Sequence, residues 1–558
     1  MREQLFIFIK NLRRHSVLIL ALSLMSLLFL LVLGWHNSNG IMDGRQNEIW
    51  HVGNSLDLWG ALQARDTWHL DYFFWGNYWP PGFYVWPWPV FAVLGATHWA
   101  MVVSNFGHLA VLLWATYALG FETRGRRVGV VAMLFVVCYP GVIGNMVRYE
   151  PSVAVTAWVT VAAVALVRTH GFLIRRWSLL FAAACAVGLM MDRLSLALFI
   201  ALPAMIEWMV GLRVGQHRRR NTNIALSVAL LLVMAGYWHW EFVHLHWQEV
   251  ASQGAGEIDS YGDYTELRDP SSMFSLLFVF GVLLDGQAGL LLGVTGLMAL
   301  GYTLFIMSPA APKMRGPQAG LRIAVAVVAT SFVVFSVIQK KQVYYTLPML
   351  GCLAVITAEF VCRFRLYKVI VFSLLLSGVH QIGYRMFGVG LPLPTSVADA
   401  LGGHSVTGPI GDGRYPQAHE PQHLVSPFDA LVAALPEGDV ITFSDDPTLF
   451  EGYLTLQLRE RMEGSQVRGV IGDPTGSWEW FRTVSSFVVV RSGLSTDWPS
   501  AAEIDSNLEE QGYDLADLPS VAELIGGDTP ERRRFELIDS WEWSGGTVTA
   551  WRNGVAAR

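Results

Sequence analysis

The sequence predicts a polytopic α-helical membrane protein of about 11 spans with a C-terminal soluble α/β domain. Three observations carry this. Only 15% of the 558 residues are charged against 53% hydrophobic, and long uncharged runs hold most of the apolar residues, a balance rare in soluble proteins. Basic clusters punctuate these runs at alternate connections. After about Gly388 the hydropathy collapses, and short alternating patterns replace the long runs.

The chain opens MREQLFIFIKNLRRH, with Arg2, Lys10, Arg13 and Arg14 ahead of the first apolar run, Ser16 to Trp35. That run is too long for a signal-peptide core and no small-residue cleavage site follows it, so it reads as a retained helix. The positive-inside rule places the N-terminus in the cytoplasm.

Further apolar runs follow at 100–121, 128–147, 151–167, 177–192, 194–210, 224–240, 286–307, 321–338, 343–361 and 366–384. Between them lie Arg124/Arg126/Arg127, Arg168/Arg175/Arg176, Arg213/Arg218/Arg219/Arg220, Lys313/Arg315 and Arg363/Arg365/Lys368. All five clusters reach the cytoplasmic side only if 82–96 and 274–284 are interfacial or re-entrant. The same parity puts the Arg148–Glu150 turn, the acidic loop 247–270, Lys340–Lys341 and the whole tail outside. The expected organisation is a transmembrane domain over 1–388 with an outer loop at 36–99, a linker over 389–425 and a periplasmic α/β domain over 426–558.

The linker, LPLPTSVADALGGHSVTGPIGDG, is rich in Pro, Gly and Ser. Beyond it the pattern predicts helices near 428–435, 448–458, 478–482 and 501–511. Strands are expected at DVITFS, VRGVIG and FVVVR, and as two strands joined at Ser-Gly-Gly in FELIDSWEWSGGTVTAW. From Leu391 onward there are 26 Asp and Glu against 11 Arg and no Lys, so the tail is acidic and the membrane part basic. No GxxxxGK[ST] loop occurs, which argues against an ATP-driven machine. Cys138, Cys185, Cys352 and Cys362 all lie in or at the end of apolar runs and read as free thiols.

The stretch from Ile41 to Val90 is unlike an ordinary connection between spans. It carries Asp43, Glu48, His51, Asp57, Asp66, His69 and Asp71 interleaved with tryptophans. Carboxylates under an aromatic ledge at a membrane surface suit a site that handles a polar group on a lipid. Asp43, just beyond the first helix, has the chemistry of a general base or metal ligand; the alternative is a solvated loop acid or a helix N-cap. Glu48 reads as its partner or as a first-turn carboxylate favoured by the helix dipole. In WGNYWPPGFYVWPWP, four prolines forbid a continuous helix. The segment is either an interfacial aromatic belt or a rigid platform set by Pro80–Pro81.

Arg148 and Glu150, in VRYEP, stand at a helix boundary, where ionisable side chains at membrane depth usually face a polar cavity. Asp192–Arg193 reads equally as a structural or a functional pair. Lys340 and Lys341, in QKKQVYYTLP, suit phosphate binding or snorkelling at a helix end. His239, His244 and His246 lack convincing metal-ligand spacing, and SDDPTLF reads as an Asx turn.

The order of these landmarks resembles that of the GT-C superfamily of membrane glycosyltransferases. The likeness is to family 39, the protein O-mannosyltransferases and lipid A aminoarabinose transferases, and it covers about the first 385 residues. Asp43 matches the first acid of that family's Asp-Glu motif, where Gly44 replaces the second acid and leaves Glu48 as a substitute. Pro80–Pro81 match its Pro-Pro element, Arg148 and Glu150 its arginine and acid, and Lys341, Tyr345 and Pro348 its lysine and Tyr-x-Leu-Pro element.

The resemblance implies transfer of a sugar from a polyprenyl-phosphate donor to a lipid, glycan or protein acceptor at the outer face of the membrane, with inversion. Asp43, Glu48 and Glu150 would be catalytic, and Arg148, Lys340, Lys341 and Tyr345 would bind the donor phosphate. No organic cofactor or nucleic acid is implied. A divalent metal, used by some superfamily members, is left open. The rival reading is a transporter or flippase of lipid-linked saccharides, which inverted repeats would favour; the sequence shows none.

Overall fold

The computed structural model describes residues 2–39, 46–71, 73–74, 77, 79–193, 195–212, 216–245, 279–307, 318–337 and 345–387, with five strands between 440 and 553. The chain divides into two compact units, Met1–Trp35 with Asn54–Pro416, and His36–Gly53 with Gln417–Arg558.

The helices are α1 (Arg2–Asn39), α2 (Gln46–Ala64), α3 (Thr67–Asp71), α4 (Gly82–Val85), α5 (Trp88–Leu94), α6 (His98–Arg124), α7 (Arg126–Val137), α8 (Pro140–Met146), α9 (Ser152–Thr169), α10 (Arg175–Met191), α11 (Ser195–Leu212) and α12 (His217–Leu231). They continue as α13 (Leu290–Met307), α14 (Gln318–Val337), α15 (Leu350–Val361) and α16 (Tyr367–Phe387). Every apolar run anticipated between 100 and 384 holds one of these helices or, at α7–α8, a bent pair.

Among the described residues, five helices are long and apolar enough to cross a membrane, six if α7 and α8 form one broken span. Five shorter apolar helices accompany them. The chain is thus a multi-pass membrane protein. The 59° bend between α7 and α8 falls where Pro140 cannot continue the helical ladder. Prolines also split the segment after Trp79. Pro81 precedes α4, and Pro87 precedes α5.

Helices α9 and α15 are buried on nearly all sides, whereas α1, α12 and α16 expose large apolar residues such as Leu30, Val228 and Phe372. Helices in lipid gain nothing from further apolar burial and pack through small residues instead. Accordingly α6 meets α7 glycine to glycine, where a Cβ on Gly120 would lie 2.7 Å from Gly129 Cα. Gly351 of α15 packs in the same way onto Thr160 of α9.

The described parts of the basic connections gather at one end of the bundle. Arg168 bonds Glu122 at 2.8 Å, Arg124 reaches Glu359 at 3.3 Å, and Arg363 closes on Glu359 at 2.7 Å. Arg322 pairs with Glu207 at 2.6 Å, and the same carboxylate accepts the Gly171 N–H at 2.9 Å. Asn223 then donates to Phe172 O at 2.8 Å. Gly320, which follows the Lys313/Arg315 loop, abuts Thr123. Lys313, Arg315 and Arg213 lie outside the described residues.

The tail strands are β1 (Val440–Ser444), β2 (Val467–Val470), β3 (Ser486–Ser492), β4 (Phe535–Trp543) and β5 (Gly546–Asn553). They form one sheet in the order β2-β1-β3-β5-β4. β1 pairs in parallel with β2 and β3, and β5 pairs antiparallel with β3 and β4. All five strands fall where the alternation predicted them. Parallel neighbours need crossover connections. The helices expected there, and those near 428–435 and 501–511, lie outside the described residues.

Candidate active site

At the end of the bundle opposite the paired arginines, the Pro-Pro segment and the Arg148–Glu150 turn meet directly. The turn runs from the end of α8 into α9 and is buried throughout; Arg148 is 7% and Glu150 4% exposed. Tyr149, between them, donates its hydroxyl to Phe83 O at 3.0 Å and stacks on the Phe83 ring at 4.5 Å and 19°. Its hydroxyl also meets Ser55 Oγ of α2 at 2.8 Å. One phenol therefore ties α2, α4 and the Arg–Glu turn together. Burial pushes the Tyr149 pKa well above its usual range, so the ring keeps the proton this bridge needs.

Helix α6 is the pedestal for both segments. Asn105 donates its side-chain N–H to Arg148 O at 2.6 Å, fixing the arginine's backbone. Trp86 donates Nε1–H to Ser104 O at 3.0 Å and stacks on the His108 ring at 4.2 Å and 20°. A Cβ on Gly107 would lie 2.9 Å from Trp86, so the indole rests on bare helix backbone. Tyr84, buried beside Phe83, accepts from Asn54 Nδ2 at 3.2 Å.

The α10–α11 connection joins the same cluster. The Arg193 guanidinium lies 3.8 Å above the Trp79 ring, a stacking arrangement that arginine favours over lysine. Gly82 packs against the carbonyl of Met190 with no room for a side chain. Pro80 and Pro81 are both buried between these contacts. On either side of this segment, Trp68 of α3 is 70% exposed and Val93 of α5 80% exposed.

Tyr345 stands half-buried, 5.8 Å from the Phe335 ring. The next residue, Thr346, accepts from Gln287 Nε2 at 2.7 Å, and Gln287 in turn packs on Gly141 at the start of α8. Pro348 is buried in the 3₁₀ turn Leu347–Met349 that opens α15. The Tyr-x-Leu-Pro element is thus joined to α8, whose far end leads into Arg148.

Asp43, Lys340 and Lys341 lie outside the described residues, as does the side chain of Glu48, which falls in the first turn of α2. Among the described residues no three His, Cys, Asp or Glu side chains are grouped to hold a metal ion. Ser55, Asn105, His108 and Tyr149 were not singled out by the sequence. Tyr149 alone had a visible signal, an aromatic hydroxyl enclosed by two ionisable neighbours.

The helical order, the bent α7–α8 pair and the aromatic–proline platform under a buried Arg–Glu turn define a polytopic helical membrane protein of the GT-C-like fold expected from its landmarks. Among solved structures, the chain is similar to ArnT from Cupriavidus metallidurans bound to undecaprenyl phosphate. The TM-score is 0.55 at 12% identity, over 96% of this chain and 98% of that one. The apo state of the same protein matches with a TM-score of 0.55 at 14% identity and the same coverage. No family model matches the chain, and no curated protein matches it.

Proposed function

We propose that this protein is a glycosyltransferase that takes a sugar from a polyprenyl-phosphate donor and passes it to an acceptor at the outer face of a bacterial inner membrane. The observation that carries the reading is the Tyr149–Phe83 contact. It brings the Pro80–Pro81 platform against the turn that bears Arg148 and Glu150, at the end of the bundle opposite the arginine pairs. The fold shared with a protein solved with undecaprenyl phosphate supports the choice of donor.

In this reading the lipid donor reaches the site from the bilayer, so no nucleotide-binding fold is needed. The acceptor oxygen attacks the anomeric carbon, and its proton passes to Asp43, with Glu48 as the neighbouring acid. The bond from that carbon to the phosphate oxygen breaks, and the phosphate leaves with the electron pair. One displacement inverts the anomeric configuration. Arg148, Lys340 and Lys341 offset the charge growing on the phosphate, Tyr345 borders it, and Glu150 positions the sugar or holds Arg148. The acidic tail, over about 426–558, faces the periplasm.

The test is transfer from radiolabelled polyprenyl-phosphate sugars to a membrane extract by the wild type and by Asp43→Asn. Transfer lost in a variant that still folds and binds lipid supports the reading. Equal transfer removes Asp43 as base and moves attention to Glu48 and Glu150. No transfer from any donor by the wild type sinks the assignment and leaves the transporter reading ahead.

A further inference from the structure

We infer that the end of the bundle where α7 and α16 begin is a binding site for the headgroup phosphate of an anionic phospholipid. The two helices run side by side in the same direction. Arg127, at the start of α7, lies 4.8 Å over the ring of Tyr367, which opens α16. At the far end of α7, Gly378 of α16 packs on Cys138, where a Cβ would come 2.7 Å from the carbonyl oxygen. Parallel packing puts two helix N-termini, the positive ends of their dipoles, at one place. Such ends attract phosphate. The Tyr367, Val369 and Ile370 N–H groups of α16 are already taken by the Phe364 and Leu366 carbonyls, so the basic side chains supply the anion contacts there.

The side chains add to the same field. Arg124, Arg126 and Arg127 come from one connection, and Arg363, Arg365 and Lys368 from the other. Glu359 is the acid between them, and it is engaged by Arg124 at 3.3 Å and Arg363 at 2.7 Å. Among the described residues no carboxylate pairs with Arg127, Arg365 or Lys368, and all three are exposed. Three exposed cations over two helix N-termini make an anion site of higher charge than a single snorkelling arginine would.

The apolar surface beside it selects a lipid over a free anion. From Leu366, 68% exposed, the outer face of α16 continues through Val369 at 60%, Phe372 at 67% and Leu376 at 60%. Steps of three and four residues place these on one helix face. An acyl chain can follow that face away from the cations while its phosphate stays among them. Charge, helix ends and chain path together fit a phospholipid with a net negative headgroup. The site lies apart from the Arg148 turn and does not depend on the reaction proposed for it.

The experiment is native mass spectrometry of the full-length protein in mixed micelles of phosphatidylglycerol and phosphatidylcholine. The expected result is roughly tenfold preferential retention of phosphatidylglycerol, lost in Arg127→Gln/Arg365→Gln/Lys368→Gln and kept in Arg218→Gln/Arg219→Gln, which alters a different basic connection. Monodisperse elution and far-UV circular dichroism check the fold of each variant. Equal retention of the two lipids by the wild type overturns the proposal whatever the variants do, as does an equal loss in both variants. Displacement by millimolar inorganic phosphate as effective as by phosphatidylglycerol would show a free-anion site and also overturn it. If the triple variant does not fold, Arg127→Gln alone must still lower the preference.

Discussion

The Tyr149 hydroxyl donates to the Phe83 carbonyl oxygen at 3.0 Å while the two rings stack at 4.5 Å, so one residue holds the Pro-Pro platform to the Arg148–Glu150 turn by both its edge and its face. The relationship separates polar from apolar contributions to the site. Tyr149→Phe keeps the stack and removes the hydroxyl. It leaves the Phe83 carbonyl and Ser55 Oγ without that partner, a loss of about 1–3 kcal/mol for buried groups. The expected outcome is a lower Tm in detergent and a fall in transfer, read as kcat on the folded fraction. Ser55→Ala, which removes only one arm of the bridge, should do less in both measurements.

Tyr149 also makes a pH prediction. Burial raises its pKa in the folded protein above the unfolded value. Above about pH 10 the unfolded chain therefore binds fewer protons than the folded one, and stability falls as pH rises. Below the unfolded pKa the contribution is complete. Chemical denaturation between neutral and strongly alkaline pH should show a loss that Tyr149→Phe partly removes; an identical slope in both proteins counts against the assignment.

Gly82 sits where the platform approaches the α10 backbone. The Met190 carbonyl leaves no room for a Cβ, and backbone cannot swing aside as a flexible side chain would. Gly82→Ala should cost about 1–3 kcal/mol by overpacking. It should also displace Phe83, and with it Tyr149, so transfer falls along with Tm. Gly60→Ala, inside α2 with nothing within 4 Å, is the matched control and should leave transfer unchanged and raise Tm slightly, by the helix propensity of alanine over glycine.

How far the sequence revealed the site depends on the kind of signal. Long apolar runs located α6 to α16, because membrane spans need unbroken apolar length and that length is written locally. Alternation located the tail strands for a similar reason. Arg148 and Glu150 stood out as ionisable residues in an apolar setting, and the structure buries both in one turn. Asn105 and Ser55 were invisible. A single polar residue within a helix announces nothing until another segment folds against it, and their partners lie 43 and 94 residues away. The platform and the turn were each recognised, but their contact was not, since no pattern within either segment encodes the other.

At the opposite end, Glu207 is 3% exposed and accepts from both Arg322 at 2.6 Å and the Gly171 N–H at 2.9 Å. His170, Gly171 and Phe172 all have positive φ, so this carboxylate pins a turn whose backbone is costly to form. Glu207→Gln leaves Arg322 without its counter-charge, a change of about 3–5 kcal/mol for a buried pair. Thermal unfolding should show a large drop. Transfer per folded molecule should stay at the wild-type value, because nothing at this end touches the Arg148 turn.

Arg148 gives the sharpest test of the proposed chemistry. Its backbone is fixed by Asn105, and the residue is 93% buried by the 7% exposure of its surface, so a substitution acts on its charge and shape more than on loop position. If the guanidinium meets charge that grows on the departing phosphate, its contribution is larger in the transition state than in the bound donor. Arg148→Gln should then lower kcat by about 10²–10³ with little change in KM. Arg148→Lys should recover part of that loss, because it restores the positive charge without the planar fork. A rise in KM at unchanged kcat would instead assign Arg148 to ground-state binding of the lipid. A fall in Tm of both variants with normal kcat on the folded fraction would make the residue structural and remove it from the site.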